Sequence, residues 1–84
     1  MKLTRQQVVA ARGLLEWTQD DLANAAGLSR ITVHGFESGS RLVNEESEAR
    51  IVLSLQQRGI EFTNGDSPGV RYNPAKAILP RKLD

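Results

Sequence analysis

The chain has no cysteine, a single histidine and few aromatic side chains, and each shortage removes a class of function. Without cysteine there is no disulfide framework, no thiolate metal site and no cysteine nucleophile. The chain also lacks a glycine-rich phosphate loop, so we expect no catalytic residues, no metal and no cofactor. With one Trp, one Tyr and two Phe, its core must be mainly aliphatic.

Long apolar runs and a strong charge excess are also missing. No stretch approaches the roughly 18 apolar residues that cross a bilayer, and the polar amino terminus lacks a signal-peptide core, so we expect a cytoplasmic protein without a membrane partner. The net charge is only +1, whereas a nucleic-acid-binding protein usually has a clear basic excess. Any positive surface must therefore come from the placement of charges. A chain of 84 residues allows one small core, which dimerisation would help to stabilise.

Residues 18–39, TQDDLANAAGLSRITVHGFESG, predict two short helices joined by a tight turn. Thr18 is a suitable N-cap for the first helix, and Gly27 can end it in a left-handed conformation. Ser29 then caps the second helix. Such a pair of helices fits either a helix-turn-helix, whose second helix enters the DNA major groove, or a plain helical hairpin in a small bundle.

The second of these helices has an outward face that its own packing does not require. Val33 and Phe36 recur at helical spacing and are expected to point inward. At about 100° per residue, this leaves Ile31, His34 and Gly35 on the opposite face.

The motif resembles the Cro and phage-repressor (XRE-like) family of helix-turn-helix transcriptional regulators. The family pattern runs T-Q-x-x-L-A-x-x-A-G-(hydrophobic)-S, followed by a recognition helix that closes in (aromatic or aliphatic)-E-x-G. The matching residues are Thr18, Gln19, Leu22, Ala23, Ala26, Gly27, Ser29, Val33, Phe36, Glu37 and Gly39. The resemblance implies a mainly α fold, with a four-helix Cro/repressor-like DNA-binding domain over residues 1–59.

The first predicted helix runs from about Thr4 to Leu15, with Gln7 completing a capping box. Its predicted apolar side consists of Val8, Val9, Ala11, Leu14 and Leu15. Arg12 interrupts that side, and the resemblance pairs it with Glu37; the alternative is two separately solvated charges. Trp17 is expected to pack at the core or its rim, with its indole N–H at the surface.

The fourth predicted helix begins after Asn44 and carries Arg58 in its last turn, and Gly59 ends it. Residues 60–73 then alternate apolar and polar side chains around a turn-rich centre, which predicts a β-hairpin. Its apolar face, and the expected dimerisation element, consists of Ile60, Phe62, Val70 and Tyr72, with Glu61 and Arg71 paired on the other face. The hairpin either pairs with a second copy to form a twofold homodimer or only covers the end of the helices. The basic tail, residues 74–84, could be disordered, embrace a partner subunit or contact phosphate.

If the protein binds double-stranded DNA, phosphate contacts supply affinity and base contacts supply specificity. The base-reading candidates are Arg30, Ile31 and His34. Arg30 can donate two hydrogen bonds to guanine, and its alternative role is phosphate contact. The phosphate candidates are Gln19, Ser29, Thr32 and Arg41; Gln19 and Arg41 come from the resemblance, which places the loop after the recognition helix along the sugar-phosphate backbone. Gly35 leaves a gap on the reading face.

These residues predict a transcriptional regulator that binds a palindromic operator as a dimer. RNA polymerase or another regulator are further expected partners. The competing hypothesis is a protein-interaction module that keeps the fold and uses the outward face for a protein, which the low net charge permits.

Overall fold

The computed structural model describes residues 2–82 as four helices followed by a two-stranded antiparallel sheet. The helices are α1 (Arg5–Leu15), α2 (Gln19–Ala26), α3 (Arg30–Ser38) and α4 (Glu45–Gln56). The strands are β1 (Ile60–Thr63) and β2 (Gly69–Tyr72), and a short 3₁₀ turn covers Pro74–Lys76. The mainly α class with a carboxyl-terminal hairpin is thereby confirmed. The last two residues of the predicted tail, 83 and 84, lie outside the described residues.

Local side-chain caps set where the helices begin. Thr4, Thr18, Ser29 and Asn44 each accept a hydrogen bond from the backbone amide three residues later, which satisfies a donor that the helix itself leaves free. The Thr4 amide in turn donates to the Gln7 side-chain oxygen, which completes the predicted capping box. All four predicted helix starts are therefore present.

The core is aliphatic and lies between the helices and the hairpin. Its largest fully buried side chains are Leu15, Leu22, Ile51, Leu55, Ile60, Val8 and Val33. The predicted apolar side of α1 was too wide, because Val9 and Leu14 are 44% and 42% exposed. Helical periodicity groups residues by angle, and it did not reveal how much of that angle the neighbouring helices cover.

The hairpin packs its apolar face on the helices of its own chain. Ile60 lies opposite Tyr72 and Phe62 opposite Val70. Ile60 is 2% exposed, and the other three are partly buried against the core. The side chain of Gln7 adds two hydrogen bonds from its Nε2 to hairpin carbonyls. Within a single chain the apolar face therefore covers the core, as in the capping alternative, and Ile60 is already buried there. Pairing with a second copy stays a prediction.

On the opposite face of the hairpin, Glu61 accepts contacts from two cations. Its carboxylate lies 2.5 Å from Arg71 Nε and 2.6 Å from Lys76 Nζ. The hydrogen bond from Lys76, and then that from Arg71, lowers the pKa of Glu61 below its ordinary value. The predicted cross-strand pair is thus present, and the tail adds a second cation to it.

The tail follows the body of the chain as far as residue 82, which none of its three predicted roles anticipated. The amides of Ile78 and Leu79 both donate to the Gln57 carbonyl. The Arg81 carbonyl accepts the Trp17 indole N–H at 2.7 Å, and the Arg81 guanidinium contacts Glu16 at 2.6 Å. Trp17 is 6% exposed, so the expectation that its N–H faces solvent was wrong because the tail covers it.

Arg58 departs from its predicted place at the end of α4. The helix ends at Gln56, and Arg58 lies beyond it with only 8% of its surface exposed. Its guanidinium carbon is 5.2 Å from the centre of the Trp17 ring, which is the geometry of a cation–π contact. Burial lowers the pKa of Arg58. The residue therefore packs against Trp17, while its Nη1 donates to the Ser54 carbonyl in the last turn of α4 at 3.0 Å.

Within residues 2–82, no helix combines the length and apolar character needed to span a membrane.

Candidate nucleic-acid interface

Helices α2 and α3 are joined by a three-residue turn whose geometry follows from its sequence. Gly27 has φ +69°, a left-handed conformation that costs glycine little. Its amide donates to the carbonyls of Ala23 and Asn24 in α2. Ser29 then caps α3, because its hydroxyl oxygen accepts a hydrogen bond from the Thr32 amide. The chain can therefore leave one helix and begin the next within a single turn.

A buried carboxylate ties α3 to the two helices before it. Arg12 donates to both oxygens of Glu37, from Nε at 2.7 Å and from Nη2 at 2.8 Å. The same guanidinium donates to the Trp17 carbonyl through Nη1. The hydrogen bond to Glu37 raises the pKa of Arg12 above its ordinary value. The predicted ion pair is present in two-pronged geometry, which fixes orientation as well as distance.

Gln19 joins this cluster. Its side-chain amide donates to Glu37 Oε1 at 3.0 Å, so α2 is bound to the same carboxylate as α1. The sequence predicts only a phosphate contact for Gln19. The structure gives its Nε2 a partner inside the chain, and the phosphate role stays a prediction for its remaining donors, which include the backbone amide at the start of α2.

The outward face of α3 carries the three base-reading candidates together. Ile31 is 70% exposed, and Arg30 and His34 of the same helix are exposed as well. Arg30 Nε lies 3.6 Å from Asp20 Oδ1, with both side chains about two-thirds exposed. An ion pair this open is weakly held, so Arg30 remains available to another partner.

Gly35 differs most from its predicted role, which was to leave an open gap on the outward face of α3. It shares the outward face with Ile31, one turn earlier, but it is buried. A β-carbon built on Gly35 would lie 2.8 Å from the β-carbon of Arg41 and 3.3 Å from its Cδ. The predicted gap is therefore filled, because the stem of Arg41 lies across the glycine.

The predicted phosphate candidates border this face. Ser29 and Thr32 lie at the start of α3, with their hydroxyl oxygens 2.9 Å apart. Arg41 is exposed in the loop after α3. With Gln19 at the start of α2, these three residues are called the polar margin, which is distinct from the base-reading candidates Arg30, Ile31 and His34.

Two further cations near α3 were not predicted. A β-carbon at Gly39 would lie 3.4 Å from the guanidinium of Arg5, which puts that charge at the carboxyl end of α3. Arg50 reaches from α4 to the Gly27 carbonyl at 3.3 Å. Neither residue belongs to the local motif, and no signal in the sequence points to either contact, because both depend on how distant helices pack.

A scan against models of known protein families found no match to this chain. A search of curated proteins likewise found no significant match. In the part of the chain that the structure describes, no three His, Asp or Glu side chains come together as a metal site would require.

Proposed function

We propose that the protein is a helix-turn-helix regulator of the Cro and phage-repressor kind, which binds double-stranded DNA in a sequence-specific manner. In this proposal α2 and α3 form the motif, and α3 enters the major groove. Arg30, Ile31 and His34 read bases, whereas the polar margin contacts phosphates.

The observation that carries the proposal is the contrast between the two sides of α3. One side is held by core packing and by the Arg12–Glu37 pair. The other side exposes a cation, a branched aliphatic side chain and an imidazole within little more than one helical turn, with Ile31 at 70% exposure. An exposed isoleucine fits a contact to a thymine methyl group, while Arg30 supplies paired donors for guanine.

We further propose that two copies bind a palindromic operator. The reading face of one chain spans few residues, and a twofold dimer doubles the number of base contacts and matches half-sites about one helical turn apart. Sedimentation of the free and DNA-bound protein tests this point. Two chains per duplex support it, and one chain on a site without symmetry contradicts it.

The test of DNA binding uses mixed-sequence duplexes at two salt concentrations, followed by selection from a random pool. We expect binding that weakens steeply as salt rises, because phosphate contacts release counterions. Selection should return a symmetric consensus. Absence of binding at low salt would contradict the proposal.

A second candidate is a protein-interaction module. It is favoured by the net charge of +1 and by two exposed aliphatic side chains, Ile31 in α3 and Leu42 in the loop after it, the latter 94% exposed. This module would leave mixed DNA unbound at low salt. The salt titration therefore separates the two functions.

A further inference from the structure

The surface of α3 is completed by a side chain that α3 does not contain. Gly35 lies about 40° around the helix from Ile31, on the outward face. The Cβ, Cγ and Cδ atoms of Arg41 all lie within 3.6 Å of the position where a side chain at residue 35 would begin. Arg41 therefore occupies the space that any larger residue at position 35 would take.

The backbone holds Arg41 in that place. The Gly35 carbonyl accepts the amides of both Ser40 and Arg41, at 3.0 and 3.1 Å. The Ser38 hydroxyl donates to the same carbonyl at 3.2 Å. Because the loop is anchored on the very residue that Arg41 covers, the stem of Arg41 is positioned before any ligand arrives.

Within residues 2–82, the guanidinium of Arg41 has no ion-pair or side-chain hydrogen-bond partner, whereas its stem lies against Gly35. The residue is exposed. Arg12, Arg30, Arg50, Arg71 and Arg81, by contrast, each lie beside a carboxylate. Covalent geometry keeps the guanidinium carbon within about 2.5 Å of Cδ, so the group stays close to the outward face of α3.

We propose that Arg41 is a specificity-determining residue that reads a guanine beside the base pair contacted by Ile31. This inference rests on the proposed DNA-binding function and changes the role predicted for Arg41, from phosphate contact to base readout. A guanidinium held beside the reading helix can donate two parallel hydrogen bonds to guanine O6 and N7. A stem resting on Gly35 lowers the entropy lost when those bonds form.

The test compares sites selected from a random DNA pool by the wild type and by Arg41→Met. Methionine retains an unbranched stem over Gly35 but has no donor. We expect the variant to lose a guanine preference at one position in each half-site, by roughly 5- to 100-fold, with the other positions unchanged. Gly35→Ala, which displaces the Arg41 stem, should alter the same position, whereas Gly13→Ala in α1 should alter none.

A phosphate contact by Arg41 would give a different result. If Arg41→Met weakens binding to every duplex alike and lowers the salt slope by about one, Arg41 contacts a phosphate and the inference is wrong. Sequence-selective binding by the wild type would then still support the proposed function. If the wild type binds no duplex at low salt, the proposed function fails, and the inference fails with it. Thermal melts of all four proteins show whether each variant is folded at the assay temperature. If Arg41→Met is not, Arg41→Gln replaces it and is judged by the same loss of guanine preference.

Discussion

The two sides of α3 differ in what they contribute to the fold. The inner side buries Val33 completely and places Glu37 in contact with two other helices. The outer side leaves Ile31 mostly exposed, together with the exposed residues Arg30 and His34. Folding accounts for the inner side chains. It gives no reason for the outer ones, which is why the outer side is the better place to look for a ligand.

The ion pairs on the two sides of α3 also differ, in distance and in burial. Arg12 and Glu37 form a short two-pronged pair whose side chains are 19% and 4% exposed. Arg30 and Asp20 form a longer contact at 3.6 Å, in which both side chains are largely in solvent. An exposed pair contributes about 0 to 1 kcal/mol, whereas removal of one member of a buried pair is far more costly.

The largest expected change in stability comes from removing the carboxylate on the inner side of α3. Glu37→Ala would leave the Arg12 guanidinium partly buried without its carboxylate, and we expect it to lower the free energy of unfolding by about 3 kcal/mol. Urea denaturation measures this loss. The control is Glu46→Ala, which removes an exposed carboxylate 3.5 Å from Arg50 and should change stability by less than about 0.5 kcal/mol. Equal losses in the two variants would contradict the assigned role of Glu37.

Gln19 in α2 donates to Glu37 on the inner side of α3 and is also predicted to contact phosphate. Its replacement therefore tests whether it serves the fold or DNA binding. Gln19→Ala removes the hydrogen bond to Glu37, and we expect a loss of about 1.5 kcal/mol in unfolding free energy. The exposed Gln6 in α1 is a matched control, since Gln6→Ala should cost less than about 0.5 kcal/mol. If Gln19→Ala weakens only DNA binding, Gln19 belongs to the outer side.

Glycine replacements test whether Arg41 truly covers α3. Gly13 in α1 has no heavy atom near its missing side chain, so Gly13→Ala should raise the free energy of unfolding by about 1 kcal/mol. Gly35→Ala should lower it by about 1 kcal/mol, because overlap with Arg41 exceeds the gain in helix propensity.

In an Arg41→Gly background the overlapping β-carbon is gone, and Gly35→Ala should become stabilising. Denaturant midpoints for the four combinations of residues 35 and 41 give the coupling between them. A destabilising Gly35→Ala in both backgrounds would show that another neighbour causes the loss.

The smallest effect on stability is expected on the outer side itself. Ile31→Ala should change the free energy of unfolding by less than about 0.5 kcal/mol, because little of the side chain is removed from water. The same kind of truncation on the inner side, Val33→Ala, should cost about 2 kcal/mol. A loss at Ile31 as large as that at Val33 would mean that the outer side also supports the fold.

The features predicted correctly from sequence are mostly those that depend on neighbours three or four residues away. The caps at Thr4, Thr18, Ser29 and Asn44 are of this kind, as is the left-handed end of α2 at Gly27. The Arg12–Glu37 pair links residues far apart in the chain, and it was anticipated only through family resemblance.

The errors concern contacts between distant segments. Periodicity placed Gly35 on the outward face correctly, but it did not reveal that the following loop returns and lays Arg41 across it. Nothing local to Trp17 indicates that the Arg81 carbonyl accepts its indole N–H. The hairpin pattern likewise identified its apolar side chains without showing what covers them, since the same alternation serves a core or a dimer.

The most direct test of DNA recognition by the outer side of α3 is the ratio of affinities for the selected duplex and a scrambled duplex. Fluorescence anisotropy would measure this ratio for the wild type and for a variant combining Arg30→Ala, Ile31→Ala and His34→Ala. We expect the ratio to fall at least about tenfold in the variant, while its melting temperature stays close to that of the wild type. An unchanged ratio in a fully folded variant would contradict the proposal and place recognition on another surface.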